Sequence, residues 1–582
     1  MADYKIDDIY QGGYSSFSPS YGDFFTGYRM GAKNIGITTD GRTANILQSL
    51  SEQISRGLKT IEVGSISPEV FESIPRQQLK EVNKLSELTG VDLTVHAPVV
   101  EPSGINSQGH FSETGREAIE RQISHFVKTA HEMSPEGNIP VTLHSSATLP
   151  WETPSKGKLQ EDVLVIDLES GAIGKIPVKK RTFPGEEEKP EIQTEINKLN
   201  QEQWSKKISN LSYYTALGGE RISGVTEYLS RGAEAEEKAG IALSEAEKNA
   251  RIHYKMGANI IEDNYRLLKD LFEQAKKYGN ESDRILLKKF SDEITPQVEK
   301  INEDPKNINN AKLMINILER GVETFHNLEA PPQVYRSLND LAKEKSTETF
   351  ANVALNSWEK FKDKSPIISV ENPPAGGAFS TGEELKKFVE TIKEKFVESA
   401  VKKGLMSSSQ AKQQADRLIG VTWDVGHINM MRKYGYDEKD VVKQTEEVAP
   451  LVKHIHLSDN FGFEHTELPM GMGNVPIKEM MEKLPEKDVK KIVEAISYYQ
   501  HFKIPAVTPT LEAFGSSFYS NEMPPYWNQS LGFQRGYMGG YGNMLPQTNY
   551  ETFGAGFSQL PSELGGQRAG AGGSRMSGRP ME

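Results

Sequence analysis

Apolar and polar residues along this chain fall into blocks whose period changes. Short apolar runs with strand spacing stand at Asn34–Ile37, Thr60–Val63, Leu93–His96, Pro140–His144, Ile367–Glu371, Val421–Asp424, His454–Leu457 and Thr508–Glu512. Between them lie amphipathic segments with helical spacing, including Ala44–Gly57, Ser112–Met133, Thr381–Lys403 and Asp437–Val448. Strands alternating with helices predict a parallel sheet joined by right-handed crossovers. Eight such units predict closure into an α/β (β/α)8 barrel.

One crossover breaks the rhythm. From His144 to Glu371 the chain runs about 227 residues, where a strand-helix-strand step takes roughly 30 or more. The excess predicts a large, mainly helical insertion after strand 4. Its first part, Val163–Val178, reads as a hairpin turning at Ser170-Gly171. Further on, Ile260-Ile261, Leu267-Leu268, Leu271-Phe272 and Ala275 recur at helical spacing. The insertion reads as a helical subdomain above the strand-4 end of the barrel, serving either as a lid or binding element or as a self-associating bundle. Both chain ends are of low complexity. Tyr10-Gln11-Gly12-Gly13-Tyr14 typifies an irregular arm, and Gly539-Gly540-Tyr541-Gly542 and Gly572-Gly573 mark a tail that reads as disordered. The expected division is an N-terminal arm at 1–30, the first barrel part at 31–154, the insertion at 155–364, the second barrel part at 365–515 and a Gly/Tyr-rich tail at 516–582.

Composition narrows the function classes. An apolar fraction of 36% and a charged fraction of 26% suit a soluble globular protein with polar additions. No run of about 18 apolar residues appears, so no transmembrane helix and no membrane partner are expected. The opening Met1-Ala2-Asp3-Tyr4-Lys5-Ile6-Asp7-Asp8 lacks a basic region followed by an apolar stretch, which makes the cytoplasm the expected location. The chain has no cysteine, which excludes disulfides, thiolate nucleophiles and Cys-based zinc sites. Any transition metal must be held by His, Asp and Glu. A formal charge of −13 argues against a chain-wide basic surface for nucleic acid but leaves room for a local basic groove.

The candidate chemistry lies in where His and acidic residues fall. His96 ends strand 3, His144 strand 4, Glu371 strand 5, Asp424 and His427 strand 6, His456 strand 7 and Glu512 strand 8. These ends share one face of a barrel, so their side chains converge. Buried carboxylates facing one another repel unless protonated or bridged by a cation. Histidine with carboxylate suits Zn, Fe(II) or Mn. His454 shares the face of His456 and is a candidate to orient it. His110, His125, His131, His253, His326 and His501 fall on helices or loops and read as surface or packing residues.

Five segments in this order, Val95-His96-Ala97-Pro98, Val370-Glu371-Asn372, Asp424-Val425-Gly426-His427, His456-Leu457-Ser458-Asp459 and Leu468-Pro469-Met470-Gly471-Met472-Gly473, resemble motifs of the endonuclease IV-like, xylose isomerase-like superfamily of TIM barrels, which includes AP endonuclease family 2. The resemblance covers about residues 34–150 and 365–515. It implies one of two chemistries. In the endonuclease IV-like pattern, up to three Zn2+ ions would be held: one by His96, His144 and Glu371, a second by Glu371, Asp424, His456 and Glu512, and a third by His427 with His465 and Glu467. The family has Asp-x-His at that last place, and His465-Thr466-Glu467 reverses the order. That pattern implies phosphoester hydrolysis, with abasic-site DNA as a substrate and a metal-bridged hydroxide as attacking group. In the isomerase pattern, one Mn2+ or Mg2+ would sit on Glu371, Asp424, His456 and Glu512. Glu371 and Glu512 would then act as acid/base groups on a sugar or sugar phosphate, and His96, His144 and His427 would bind hydroxyls. The duplex-wedging aromatic of the endonuclease pattern has no counterpart, since His96 is followed by Ala97-Pro98-Val99-Val100-Glu101, and Glu101 is expected to repel phosphate. A third reading is a non-catalytic barrel scaffold whose insertion and termini mediate assembly.

Overall fold

Alternation along the barrel strands decides what the molecule buries on each side of its sheet. The computed structural model describes residues 28, 30–64, 67–147, 149, 155–156, 162–178, 182–183, 186–187, 192–238, 245–304, 310–485, 489–502 and 505–514. Most of the expected arm at 1–30, and the whole expected tail at 516–582, lie outside the described residues. The strands are β1 (Gly36–Thr38), β2 (Thr60–Gly64), β3 (Asp92–His96), β4 (Pro140–His144), β5 (Asp162–Asp167), β6 (Ile173–Pro177), β7 (Thr182–Phe183), β8 (Glu186–Glu187), β9 (Tyr335–Ser337), β10 (Ile367–Glu371), β11 (Ile419–Asp424), β12 (Val452–Leu457) and β13 (Lys490–Val493). Eight of them close a parallel barrel in the order β1-β2-β3-β4-β10-β11-β12-β13. This is the (β/α)8 architecture expected from the strand-helix rhythm.

One expected strand is misplaced. Thr508–Glu512 lies in a helix, Val507–Ala513, and the eighth strand is β13, which pairs with both β12 and β1. Pro509 fits this helix because it falls in the first turn, where the backbone N–H groups have no intrahelical acceptor. Glu512 therefore does not end a barrel strand. The acidic residue that follows the eighth strand is Glu494, whose N–H donates to the Leu457 carbonyl at 3.1 Å.

The helices are set by local signals. Ser112 caps the helix Glu113–Met133 by accepting from the Gly115 N–H. Thr381 and Asp437 form capping boxes with Glu384 and Asp440 at the starts of the helices Gly382–Lys402 and Glu438–Val448. Outward-facing strand residues such as Val95, Val141, Ile368, Val370, Val421, Trp423 and Ile455 are fully buried. The inward-facing set is polar: Glu62, Thr94, Thr142, Ser369, Thr422 and His454, all fully buried. Thr422 bridges Thr142 and Ser369 across the interior at 3.0 and 2.8 Å.

The chain divides into two compact units, residues 1–159 with 342–582, and residues 160–341. In the second unit β5 and β6 form an antiparallel hairpin through Gly171, whose φ of +72° suits glycine, and β9 adds to the other edge of β5. Helices Ile192–Lys238, Glu245–Tyr278, Glu281–Glu303 and Asn310–His326 follow. They enclose a core of Trp204, Leu211, Ile261, Leu268, Phe290 and Phe325. Gly218 allows close helix contact, because a Cβ there would stand 2.7 Å from Ile261. Among the described residues, no helix is long and apolar enough to cross a membrane.

Candidate metal centre

Strand register brings the candidate donors together. In parallel strands, residues paired in register present their side chains to the same face. Glu371 on β10 is paired with His144 on β4. Asp424 on β11 is paired with His456 on β12. His96 closes β3 beside Gly64 of β2, and Glu494 follows β13. All lie at the C-terminal end of the barrel.

The contacts are close. Glu371 Oε2 lies 3.3 Å from His96 Nε2 and 3.2 Å from His144 Nε2. His456 Nδ1 lies 2.7 Å from Glu371 Oε1 and 2.6 Å from Glu494 Oε2. His427 Nε2 stands 2.8 Å from His465 Nε2 and 3.9 Å from Asp424 Oδ2. His465 Nε2 is 3.6 Å from Glu467 Oε1. Thus His96, His144, Glu371, Asp424, His427, His456, His465 and Glu467 converge, with Glu494 where Glu512 was expected.

The loop after β12 is built to present His465 and Glu467. Asp459 accepts the backbone N–H groups of Asn460, Gly471, Gly473 and Val475 at 2.9–3.1 Å. Residues Asp459 and Leu468 exchange two backbone bonds of 2.7 and 2.8 Å, which close the loop that carries both side chains. Glu467 holds a left-handed φ of +44°, strain of about 1–3 kcal/mol for a non-glycine residue. Asp424 caps the helix Val425–Asn429 with Oδ1, accepting from the Gly426 and His427 N–H groups at 2.7 and 2.8 Å. Oδ2 accepts from Ser458 Oγ at 3.3 Å and lies 3.9 Å from His427 Nε2.

The donor set fits divalent cations. Glu371 Oε2 is buried and has no hydrogen-bond partner, although two ring nitrogens flank it. His96 Nδ1 donates to the Ala97 carbonyl at 2.9 Å, and His427 Nδ1 donates to the Asn372 carbonyl at 2.7 Å. The Nε2 lone pairs of both rings therefore face other acceptors. Acceptor against acceptor is unfavourable unless a proton or a cation stands between them. With imidazole and carboxylate donors and no thiolate, the set suits Zn, Fe(II) or Mn.

The electrostatics say the same in protonic terms. Burial lowers His96, but hydrogen bonding and charge from Glu371, with Glu494 and Glu62, lift it to about 10. His456 is likewise raised well above its ordinary value, against burial, by Glu494, Glu62 and Glu371. Burial would raise Glu371, yet His456 and His144 hold it well below the usual carboxylate range. Burial and the neighbouring cationic rings push His144 and His465 down to about 4. Burial and the charge of Glu494 raise Glu467 to about 7. Protons on His96 and His456 hold these carboxylates together in the absence of a cation.

Two acidic groups, the fully buried Glu62 and the partly buried Glu494, add to those singled out in the sequence. Glu494 went unnoticed because β13 begins Lys490-Lys491 and does not read as a buried parallel strand. Glu62 sits within Thr60-Ile61-Glu62-Val63, where an acid interrupting an apolar run was the available signal. Glu101 departs from its expected repulsion of phosphate. It is buried and accepts from Ser103 Oγ at 2.6 Å, Ser146 Oγ at 2.7 Å and the Ala147 N–H at 2.9 Å, so its charge is turned inward.

No protein-family model matches the chain. The curated protein named Uncharacterized protein MJ1311, from Methanocaldococcus jannaschii, is 31% identical over 68 residues, which are 12% of this chain. The chain spans 22% of that relative's length. A solved structure titled as a D-tagatose 3-epimerase-like protein shares 12% identity at a TM-score of 0.31, covering 82% of this chain and 98% of that one. A second, titled D-psicose 3-epimerase with D-tagatose from Clostridium cellulolyticum H10, shares 8% identity at a TM-score of 0.35, covering 87% and 98%. The barrel assignment stands on the closed strand order of this chain itself.

Proposed function

We propose that this protein is a metal-dependent barrel enzyme whose centre takes more than one divalent cation, and that its reaction is the hydrolysis of a phosphoester. The observation that carries this reading is the number of convergent donors. Nine side chains meet at the C-terminal face, whereas one octahedral cation has about six positions. Glu371, Asp424 and His456 are buried, with the partly exposed Glu494 beside them. His96 and His144 extend this group toward β3 and β4, and His427, His465 and Glu467 toward the loop after β12. Bound divalent cations would supply Lewis acidity and lower the pKa of a nucleophilic water. The chain's own part is to fix the donors. Asp424 is locked by its helix cap, His96 and His427 by their carbonyl partners, and the loop by Asp459. His465 and Glu467 are the most exposed members of the set, with side chains 35% and 22% accessible, and they face incoming substrate.

A second reading is a sugar or sugar-phosphate isomerase or epimerase with one cation on Glu371, Asp424, His456 and Glu494. A specific observation favours it: Glu371 and Glu494 approach the same His456 nitrogen, a carboxylate pair able to take a proton from a substrate carbon and return it. The two epimerase titles name this class, and none of the three similar proteins reported above carries a name that mentions DNA or phosphoesters.

Metal content separates the two readings. Chain dialysed against Zn2+ or Mn2+ is expected to retain at least two cations and to nick an abasic duplex, with His144→Ala losing one cation and the activity. One cation per chain with C3 epimerisation of a ketohexose would move the assignment to the second reading. A protein that retains no metal and responds to neither ion would sink both.

A further inference from the structure

One layer deeper in the barrel than the donor set lies a carboxylate that neither reaction uses. Glu62, within β2, is fully buried. Its Oε1 accepts from His454 Nε2 at 3.0 Å, from His456 Nε2 at 3.3 Å and from Thr94 Oγ1 at 3.3 Å. An ionised carboxylate can only accept, so a ring nitrogen facing it carries hydrogen. For His456 both nitrogens meet this condition when no cation is present, Nε2 facing Glu62 and Nδ1 facing Glu371 and Glu494 at 2.7 and 2.6 Å; a cation among the donors would replace the Nδ1 proton and leave hydrogen on Nε2 alone.

We infer that Glu62 is a positioning residue: it holds the His456 ring as the Nε2–H tautomer and aims Nδ1 at the metal centre, with His454 and Thr94 fixing the carboxylate in place. This deepens the metal-centre reading and rests on it. A packing role alone does not explain the arrangement. The interior of a (β/α)8 barrel is ordinarily filled by branched apolar side chains, and a buried carboxylate carries a desolvation penalty of several kcal/mol. Here two strands, β3 and β12, direct three polar groups, Thr94, His454 and His456, to the same oxygen of Glu62 on β2. A carboxylate behind a metal-binding imidazole fixes the tautomer and ring orientation and strengthens the donor nitrogen.

The test uses the full chain, with Zn2+ as the probe. Selective 15N labelling of histidine, with His456→Gln for assignment, reads the tautomer of His456 in the wild type. The expected result is hydrogen on Nε2 and zinc on Nδ1. Glu62→Ala is expected to weaken zinc binding about 10- to 100-fold in a chelator competition and to abolish the single tautomer. Should Glu62→Ala fail to fold, Glu62→Asp withdraws the carboxylate by one methylene and is expected to weaken zinc in the same direction. Ile61→Val, a buried change on the opposite face of β2 from Glu62, is the packing control and is expected to bind zinc within about twofold of wild type. Zinc bound through Nε2 in the wild type overturns the inference, as does wild-type affinity in a folded Glu62 variant. A wild type that binds no zinc instead overturns the metal-centre reading itself.

Discussion

The interior of the barrel and the core of the helical unit bury opposite kinds of matter. The barrel interior holds Glu62, Glu371, Asp424, His454 and His456, each at most 1% exposed. The helical unit closes on Trp204, Leu211, Ile261, Leu268 and Phe325. Its buried amide Asn264 is satisfied locally, donating to the Leu211 carbonyl at 2.7 Å and to Thr215 Oγ1 at 2.9 Å. Apolar burial stabilises by about 25 cal/mol per Å², whereas buried charge stabilises little or not at all. The helical unit is therefore organised for stability, and the barrel interior concentrates its ionisable groups where chemistry requires them.

The sharpest way to break this contrast is to remove the shared carboxylate. Glu371→Ala is expected to weaken metal retention more than about 100-fold, beyond the 10–100-fold typical of losing a ligand's supporting partner. Equilibrium dialysis followed by metal analysis checks it, and a variant that keeps the wild-type metal content would remove Glu371 from the donor set. The matching change in the other unit is Phe325→Ala. It is expected to destabilise the helical unit by about 3–5 kcal/mol while the barrel keeps its metal. Denaturant unfolding alongside metal analysis reads both. Loss of metal in this variant would end the separation of roles.

The smallest effect is a pH window in the chelator-treated protein. His96, raised from 6.5 to about 10, stabilises the fold fully below pH 6.5 and loses that contribution as pH climbs through about 10. Glu371 and Glu494 are lowered from 4.5. They stabilise above that value and lose their contribution as pH falls below it. His144 and His465, lowered from 6.5 to about 4, cost stability as pH falls below 6.5, so the melting temperature is expected to peak near pH 6.5. Metal should move the maximum upward, since a cation requires the rings deprotonated. A melting temperature that rises steadily from pH 6.5 to 10 without metal would contradict the assigned protonation of His96.

How much of this was legible in the sequence depends on the strand. β3, β4, β10 and β11 are largely apolar runs ending in His, Asp or Glu, and β12 carries His456 one residue before its end, so both strand and donor could be read. β13 could not. Lys490 and Lys491 make half of that strand polar; Lys490 answers Asp92 at the far end of the barrel, and Lys491 is buried. Thr508–Glu512 resembles a strand because its threonines favour one, and five residues are too few to carry a period that separates strand from helix. His465 and Glu467 were placed from their motif, but their approach to His427 depends on the Asp459-braced loop, which is a tertiary fact. Glu62 was read as part of a strand and not as a group with a task. Its partners His454 and His456 lie some 390 positions away, and only barrel closure brings them together.

The interruption of the barrel has a consequence for its synthesis. β4 pairs with β10 over five residues, from Pro140 with Ile367 to His144 with Glu371, yet residues 145–366 are made in between. At about 5–20 residues per second, the ribosome releases β4 on the order of 10–40 s before its neighbour exists. For that interval β1 to β4 are an open sheet with two unsatisfied edges, and the two halves of the donor set are on opposite sides of a nascent chain. The helical unit has time to fold first. The centre can then assemble only in the last step, when β10 to β13 arrive together and β13 closes on β1.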